Sequence, residues 1–334
     1  MAAIDTAPAA KRSVVGAGAL QKVLAFSGLI ALFIIFSILS PAFRTAQNME
    51  GIILATAVNG VLALGVTFVI VSGGIDLSVG TVMTLSAVMV GLAVGDEKAG
   101  LPLWIGVIVG LLTGALAGTA NGLLISRMKI PPFIATLGMM MVARGLSLVL
   151  AQVKPIYFNE LPGFNDIMMG SALGTVIPGF EIPNAVFILF GAALIAAFIL
   201  AKTVLGRYDV AIGSNEEATR LSGVNVAVWK TSIYALCGAF AGLAGVMIAS
   251  RLNSAQPALG AGYELDAIAA VVIGGTSLSG GEGTILGTII GAFIISTLTN
   301  GLRIMNVPQE WQFVVTGVIV ILAVYLDILR RRRS

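Results

Sequence analysis

The chain has 334 residues, 57% of them hydrophobic and 10% charged, and its 19 Lys and Arg against 16 Asp and Glu leave a net charge of +3. A soluble domain carries roughly 25% charged residues, so too few polar side chains exist here to coat a water-facing surface, and a disordered chain, which needs low hydrophobicity, is excluded as well. With a mean hydropathy of +1.01 and long unbroken apolar runs, the sequence reads as an all-α polytopic membrane protein, because the strands of a membrane barrel would alternate apolar and polar residues.

Residues 1–22 read as a short cytoplasmic tail carrying Lys11 and Arg12. The run Val23–Leu39 exceeds the roughly 7–15 apolar residues of a secretory signal and ends at Ser40-Pro41, so it reads as a retained first span. With this first segment, near 23–40, further apolar segments near 50–71, 75–94, 103–121, 133–151, 185–203, 230–249, 265–277, 283–300 and 310–328 make ten, within a transmembrane domain over 23–329. The eighth segment is too short for a regular helix to cross about 30 Å of hydrocarbon, and is expected as a half-helix in a re-entrant unit with the ninth. Two loops are long: 152–184, rich in Pro and Gly with Tyr157, Phe158, Phe164 and Phe180, and 203–229, the one sizeable polar stretch. Long ordered loops usually carry function.

Sidedness follows from the bias of Lys and Arg. With the N-terminus inside, 13 basic residues fall on the cytoplasmic side, among them Arg127, Lys129, Lys202, Arg207, Arg220, Lys230 and Arg330 to Arg333, against 5 outside (Arg44, Lys98, Lys154, Arg251 and Arg303). Both termini are therefore expected in the cytoplasm, with 152–184 external and 203–229 internal. The basic C-terminus 330–334 suits an anchor on the anionic inner leaflet better than a nucleic-acid contact.

Little catalytic chemistry is available. The chain has no His, which excludes His-based metal sites and Ser-His-Asp triads, and its one Cys, Cys237, lies in an apolar run as a small core side chain. Glycines recur at helical spacing at 106, 110, 114 and 118 and again at 283, 287 and 291, a pattern that lets helix backbones approach closely. One octet occurs twice, as GGIDLSVG at Gly73–Gly80 and GGTSLSGG at Gly274–Gly281. It is either a coincidence of a Gly-rich chain or a pair of broken segments flanking a substrate path. The peptide LSGGE at Leu278–Glu282 has no phosphate loop to accompany it, so no nucleotide site is expected in this chain. Asp76, Arg144, Glu264 and Asp266 are charges at membrane depth, and each is expected to face protein or water. Asp76 either caps the helix after it or lines a path. In the polar loop, Asn215 to Leu221 reads as a short helix, with Asn215 as N-cap, Glu216 and Glu217 in the first turn, Arg220 in the last and Gly223 beyond. Ala218 and Leu221 give it a small apolar face.

Four stretches carry a resemblance: GGIDLSVG at 73–80, IPPFIATLGMMMVARG at 130–145, GRYDVAIGSNEEATRLSGVNV at 206–226 and YELDAIAAVVIGGTSLSGGEGTILGTIIGA at 263–292. They resemble the membrane permeases of bacterial ABC importers for monosaccharides, the ribose-type branch, in the same order and over nearly the whole chain from about Leu20. The resemblance implies a multi-pass inner-membrane permease without a cofactor of its own. It would act as a pair, often identical, with a cytoplasmic ATPase that binds Mg-ATP and a periplasmic sugar-binding protein. It places ATPase coupling on Gly213, Asn215, Glu216, Glu217, Ala218, Arg220 and Gly223, and binding-protein docking on 152–184 and 251–262. Because sugars need hydroxyl, amide or carboxylate partners, the expected path-lining residues are Asn59, Asp76, Ser78, Asn121, Thr136, Ser277 and Ser279. An ion-coupled carrier or channel for a small polar solute is the alternative, disfavoured by the scarcity of buried carboxylates.

Overall fold

The computed structural model describes residues 14–331 except 96, 97, 160, 178 and 180. The tail before residue 14, the end of the C-terminal basic run and Phe180 lie outside the described residues. Each of the ten apolar segments carries a helix: α1 (Val14–Leu39), α2 (Ala46–Val71), α3 (Val79–Val94), α4 (Leu103–Ser126), α5 (Pro132–Leu150), α7 (Asn184–Lys202), α10 (Val226–Leu252), α11 (Tyr263–Ile273), α12 (Ile285–Ile304) and α13 (Gln309–Arg331). The long loops add α6 (Ala172–Val176), α8 (Val204–Ser214) and α9 (Glu216–Leu221), and Ile156–Tyr157 (β1) pairs antiparallel with Ser254–Ala255 (β2). Among the described residues, α2, α4, α5, α7, α10 and α12 are long and apolar enough to cross a membrane, while the apolar stretches of α1, α3 and α13 are shorter.

The centre is built on α2, α10 and α3. The apolar span of α2 is 89% buried inside the protein, whereas those of α5 and α7 are 22% buried, so α2 is a core helix and α5 and α7 are peripheral. Glycines set the closest approach. On α4, the spacing from Gly106 to Gly118 faces α10: a Cβ on Gly114 would lie 2.1 Å from the Gly238 carbonyl, and one on Gly238 would lie 2.1 Å from that of Gly114. Only two glycines allow the backbones so near, which is the packing reading of that stripe. Cys237 is buried beside it and unpaired.

Two helices differ from the sequence ranges for a physical reason. The third begins at Val79 rather than near 75, because Gly73 adopts a positive φ of 76° and the chain runs unwound to Ser78. The eighth is an 11-residue helix, about 16 Å long at ordinary rise, half of a crossing. It packs along α12, with Ala270 against Gly291 and Gly274 against Gly287. In the 152–184 loop, Phe158 and Phe164 turn inward and pack with ring centroids 4.1 Å apart, while Tyr157 stays exposed.

Candidate functional site

The polar stretch between α7 and α10 is more ordered than one short helix. Thr203 caps α8 by accepting from the Gly206 N–H. Asn215 ends α8 and caps α9, its Oδ1 accepting from the Ala218 N–H at 2.9 Å. The Thr219 hydroxyl donates to the Ala211 carbonyl at 2.9 Å, fastening α9 onto α8, and the Tyr208 and Trp229 rings, 4.9 Å apart, fasten α8 to the start of α10. Gly223 has φ of 87°, which turns the chain back toward Asn225, the cap of α10.

This arrangement gathers the sequence-predicted loop residues at one end of the bundle. Glu216 pairs with Lys230 and Glu217 with Arg220; the second pair is fully solvated, and its carboxylate holds the Arg220 guanidinium above its usual pKa by hydrogen bond and charge. These pairs are worth little in stability at such exposure. They fix side-chain direction around a groove of about 460 Å³ lined by Lys129, Glu216, Glu217, Arg220, Asn225 and their neighbours. Ala218 and Leu221 are exposed, Leu221 at 78%, so the apolar face of α9 points away from the protein. A helix presented in this way, apolar side outward and rimmed by charge, suits a protein groove.

Gly213 does something different from its neighbours. A Cβ there would lie 1.8 Å from the Val71 carbonyl oxygen and 2.5 Å from the Gly281 nitrogen. The two octets therefore meet at α8: Gly281 donates to the Val71 carbonyl at 2.8 Å, and a Cβ on Gly280 would come 3.0 Å from the Gly73 Cα. The backbone of α8 is therefore in direct contact with the turn between α2 and α3 and with the α11–α12 turn.

The expected path residues are placed as follows. Asp76, Ser78 and Asn121 form a buried chain in which Asp76 Oδ1 accepts from the Ser78 N–H at 2.8 Å and from its hydroxyl at 2.6 Å, and Asn121 donates to the Ser78 hydroxyl at 2.9 Å. Asp76 is thus engaged in capping the turn before α3. Thr136 donates to Pro132 in its own helix at 2.9 Å, and the Ser277 hydroxyl accepts from the Ser279 N–H at 3.1 Å, with Ser279 itself exposed. Asn59, on α2, reaches the Asp266 carboxylate on α11. Of the seven, the structure brings Asp76, Ser78 and Asn121 into contact with one another.

Two groups escaped the sequence reading. Lys230 is the partner of Glu216, which no local spacing announces. Asp209, on α8, is fully buried, and neither carboxylate oxygen has a hydrogen-bond partner; burial pushes its carboxyl well above the usual carboxylate range. The signal was an acid one helical turn before Ile212 on the apolar side of a short helix.

Comparison with known proteins follows this geometry. Residues 48–324 match the family model described as branched-chain amino acid transport system / permease component. The chain is 46% identical to the ribose import permease protein RbsC of Bacillus subtilis (strain 168), over 93% of this chain and 94% of that one. It is 43% identical to the RbsC protein of Escherichia coli (strain K12), over 90% and 91%, and 35% identical to the xylose transport system permease protein XylH of the same organism, over 94% and 93%. No solved structure matches.

Proposed function

The chain belongs to the family of branched-chain amino acid transport system permease components, and from that premise we propose that it is the membrane subunit of an ATP-driven importer carrying a monosaccharide, a ribose-like sugar or polyol, into the cytoplasm. The sugar class rests on the relatives, which are ribose and xylose permeases at 35–46% identity over most of their length. The protein is a multi-pass protein of the bacterial inner membrane. Its basic residues favour both termini, α8 and α9 on the cytoplasmic side.

In this proposal the observation that carries the mechanism is Gly213 wedged between Val71 and Gly281. A cytoplasmic ATPase, which binds Mg-ATP and hydrolyses it, grips α9 through its outward apolar face and the Glu216–Arg220 rim. When the ATPase halves close, α9 and α8 move together, because Thr219 ties them, and α8 drives both octets. The path then changes the side on which it opens. A periplasmic sugar-binding protein docks on 152–184 and 251–262 and supplies the affinity, and a second copy of the permease completes the path.

The test is a charge reversal at the rim. Glu216→Lys with Glu217→Lys leaves membrane insertion intact and abolishes co-purification of the ATPase and sugar uptake. Normal uptake in that variant refutes the coupling role. Uptake of a branched-chain amino acid instead of D-ribose or D-xylose by the assembled wild-type complex refutes the substrate class.

A further inference from the structure

Arg144 lies within α5, six residues before its end at Leu150, and its side chain is exposed. The two ion pairs among the described residues do not involve it, and none of their hydrogen bonds ties it down. Ionisable side chains within membrane helices almost always face the bundle interior or a water-filled cavity rather than lipid.

A second observation bears on the same place. Between β2 and α11 the chain is non-helical, and it descends along α3. At the top of this descent, β2 pairs with β1, whose Ile156 packs against Gly91. At the bottom, Gly260 meets Gly80 so closely that a Cβ on Gly260 would lie 2.1 Å from the Gly80 carbonyl. Gly80 and Gly91 are separated by about 16 Å of helix rise. Irregular backbone at such depth is tolerated only where it is buried in protein or lines a water-filled cavity. Arg144 closes onto this descent: with Thr81, Thr84 and the 257–261 backbone it lines a cavity of only about 10 Å³, room for roughly one water.

We propose that Arg144 and the 257–261 loop, the inner part of the 251–262 stretch whose outer part meets the binding protein, form the sugar-contacting constriction of the transport path, shut in this conformation. The inference rests on the importer reading and deepens it. The chemistry fits a polyhydroxylated ligand and not an apolar one. The guanidinium offers five N–H donors to ring and hydroxyl oxygens, the loop carbonyls accept from sugar hydroxyls, and the Thr81 and Thr84 hydroxyls do either. The α5 helix packs chiefly on α3 and α4, and Arg144 stays exposed on this chain, so in this proposal its side can face the path that a second copy completes.

The experiment uses the whole complex of permease, ATPase and binding protein in proteoliposomes, with D-ribose as probe. Cys237 is buried, so an introduced thiol is the only accessible one in this chain, and labelling is read on the permease band alone. Thr84→Cys, at a position buried in this conformation, is expected to react with a membrane-impermeant methanethiosulfonate only during turnover, while Phe198→Cys, on the exposed apolar side of α7, does not. Arg144→Gln is expected to lower the sugar moved per ATP hydrolysed about tenfold, the loss of a charged hydrogen bond, with Arg144→Lys intermediate and Arg44→Gln without effect. A Thr84→Cys that stays unreactive throughout the cycle, or an Arg144→Gln that carries sugar at the wild-type ratio, overturns the proposal. Should the wild-type complex move no D-ribose, the substrate reading fails, while the thiol pattern still reports whether this is the path.

Discussion

The N–H of Gly281 donates to the carbonyl of Val71 at 2.8 Å, and this one bond joins the end of α2 to the second copy of a repeated octet. Gly213 sits over it with no room for a side chain. Gly213→Val is therefore expected to lift α8 from the bundle. Overpacking of this kind costs roughly 1–3 kcal/mol, and the backbone on both sides leaves little slack. Thermal unfolding of the purified protein should fall, and ATPase association with it. A variant that keeps wild-type stability and association contradicts the wedge.

The Thr67 and Thr288 hydroxyls lie 2.7 Å apart between α2 and α12, fully buried. Each hydroxyl also has a carbonyl of the preceding turn within reach, Ala63 for Thr67 and Thr284 for Thr288; with one proton each, one hydroxyl donates across and the other to its carbonyl, so neither is stranded when the other is removed. A double-mutant cycle with Thr67→Val and Thr288→Val should give a coupling near 0.6 kcal/mol, roughly the size typical of interhelical hydrogen bonds in membranes. A value near zero would mean that packing alone holds this pair of helices.

Asp209 makes the stability of α8 depend on pH. Its folded pKa is raised well above the ordinary 3.8 by burial alone, so the folded state holds the proton more tightly than the unfolded one. The stabilisation is complete below 3.8 and is lost as pH rises through the folded value. Asp209→Asn, neutral at every pH, should remove this slope and make the protein more stable than wild type on the alkaline side. Unfolding temperature followed across pH 5 to about 9 checks it; parallel curves for the two proteins would show that Asp209 does not titrate there.

How far the sequence foretold this depended on whether a feature is local. Helix existence follows from apolar runs, so all ten segments were legible, and the α9 cap was legible because Asn215, Glu216 and Glu217 act within one turn. The glycine stripe on α4 was read as a packing face, but its partner Gly238 was not named, because partners across helices leave no spacing in the chain. For the same reason the octets were seen as a repeat and not as a mutual contact through Gly213. The path residues were chosen for polarity, which does not show which partner each one takes: Thr136 bonds Pro132 in its own helix, while Asp76, Ser78 and Asn121 bond one another across the turn before α3 and helix α4. Arg144 was conspicuous as a charge, yet only the fold sets it against the 257–261 backbone.

Asp76 separates two roles for the same carboxylate. Its Oδ1 accepts both the N–H and the hydroxyl of Ser78, and Ser78 in turn accepts from Asn121 on α4, all with 2% exposure or less. Asp76→Ala strips the acceptor and leaves buried donors unpaired, each costing about 1–3 kcal/mol. Asp76→Asn keeps an oxygen at the same position and should recover most of the stability. If capping is its whole role, uptake in the assembled complex tracks stability: the Asp76→Asn variant works nearly as well as the wild type and the Asp76→Ala variant poorly. If the charge itself handles the sugar, Asp76→Asn would fold normally and fail in uptake. Unfolding temperature and uptake measured side by side in the two variants distinguish these outcomes, and the two hydrogen bonds already made by Oδ1 argue for the first.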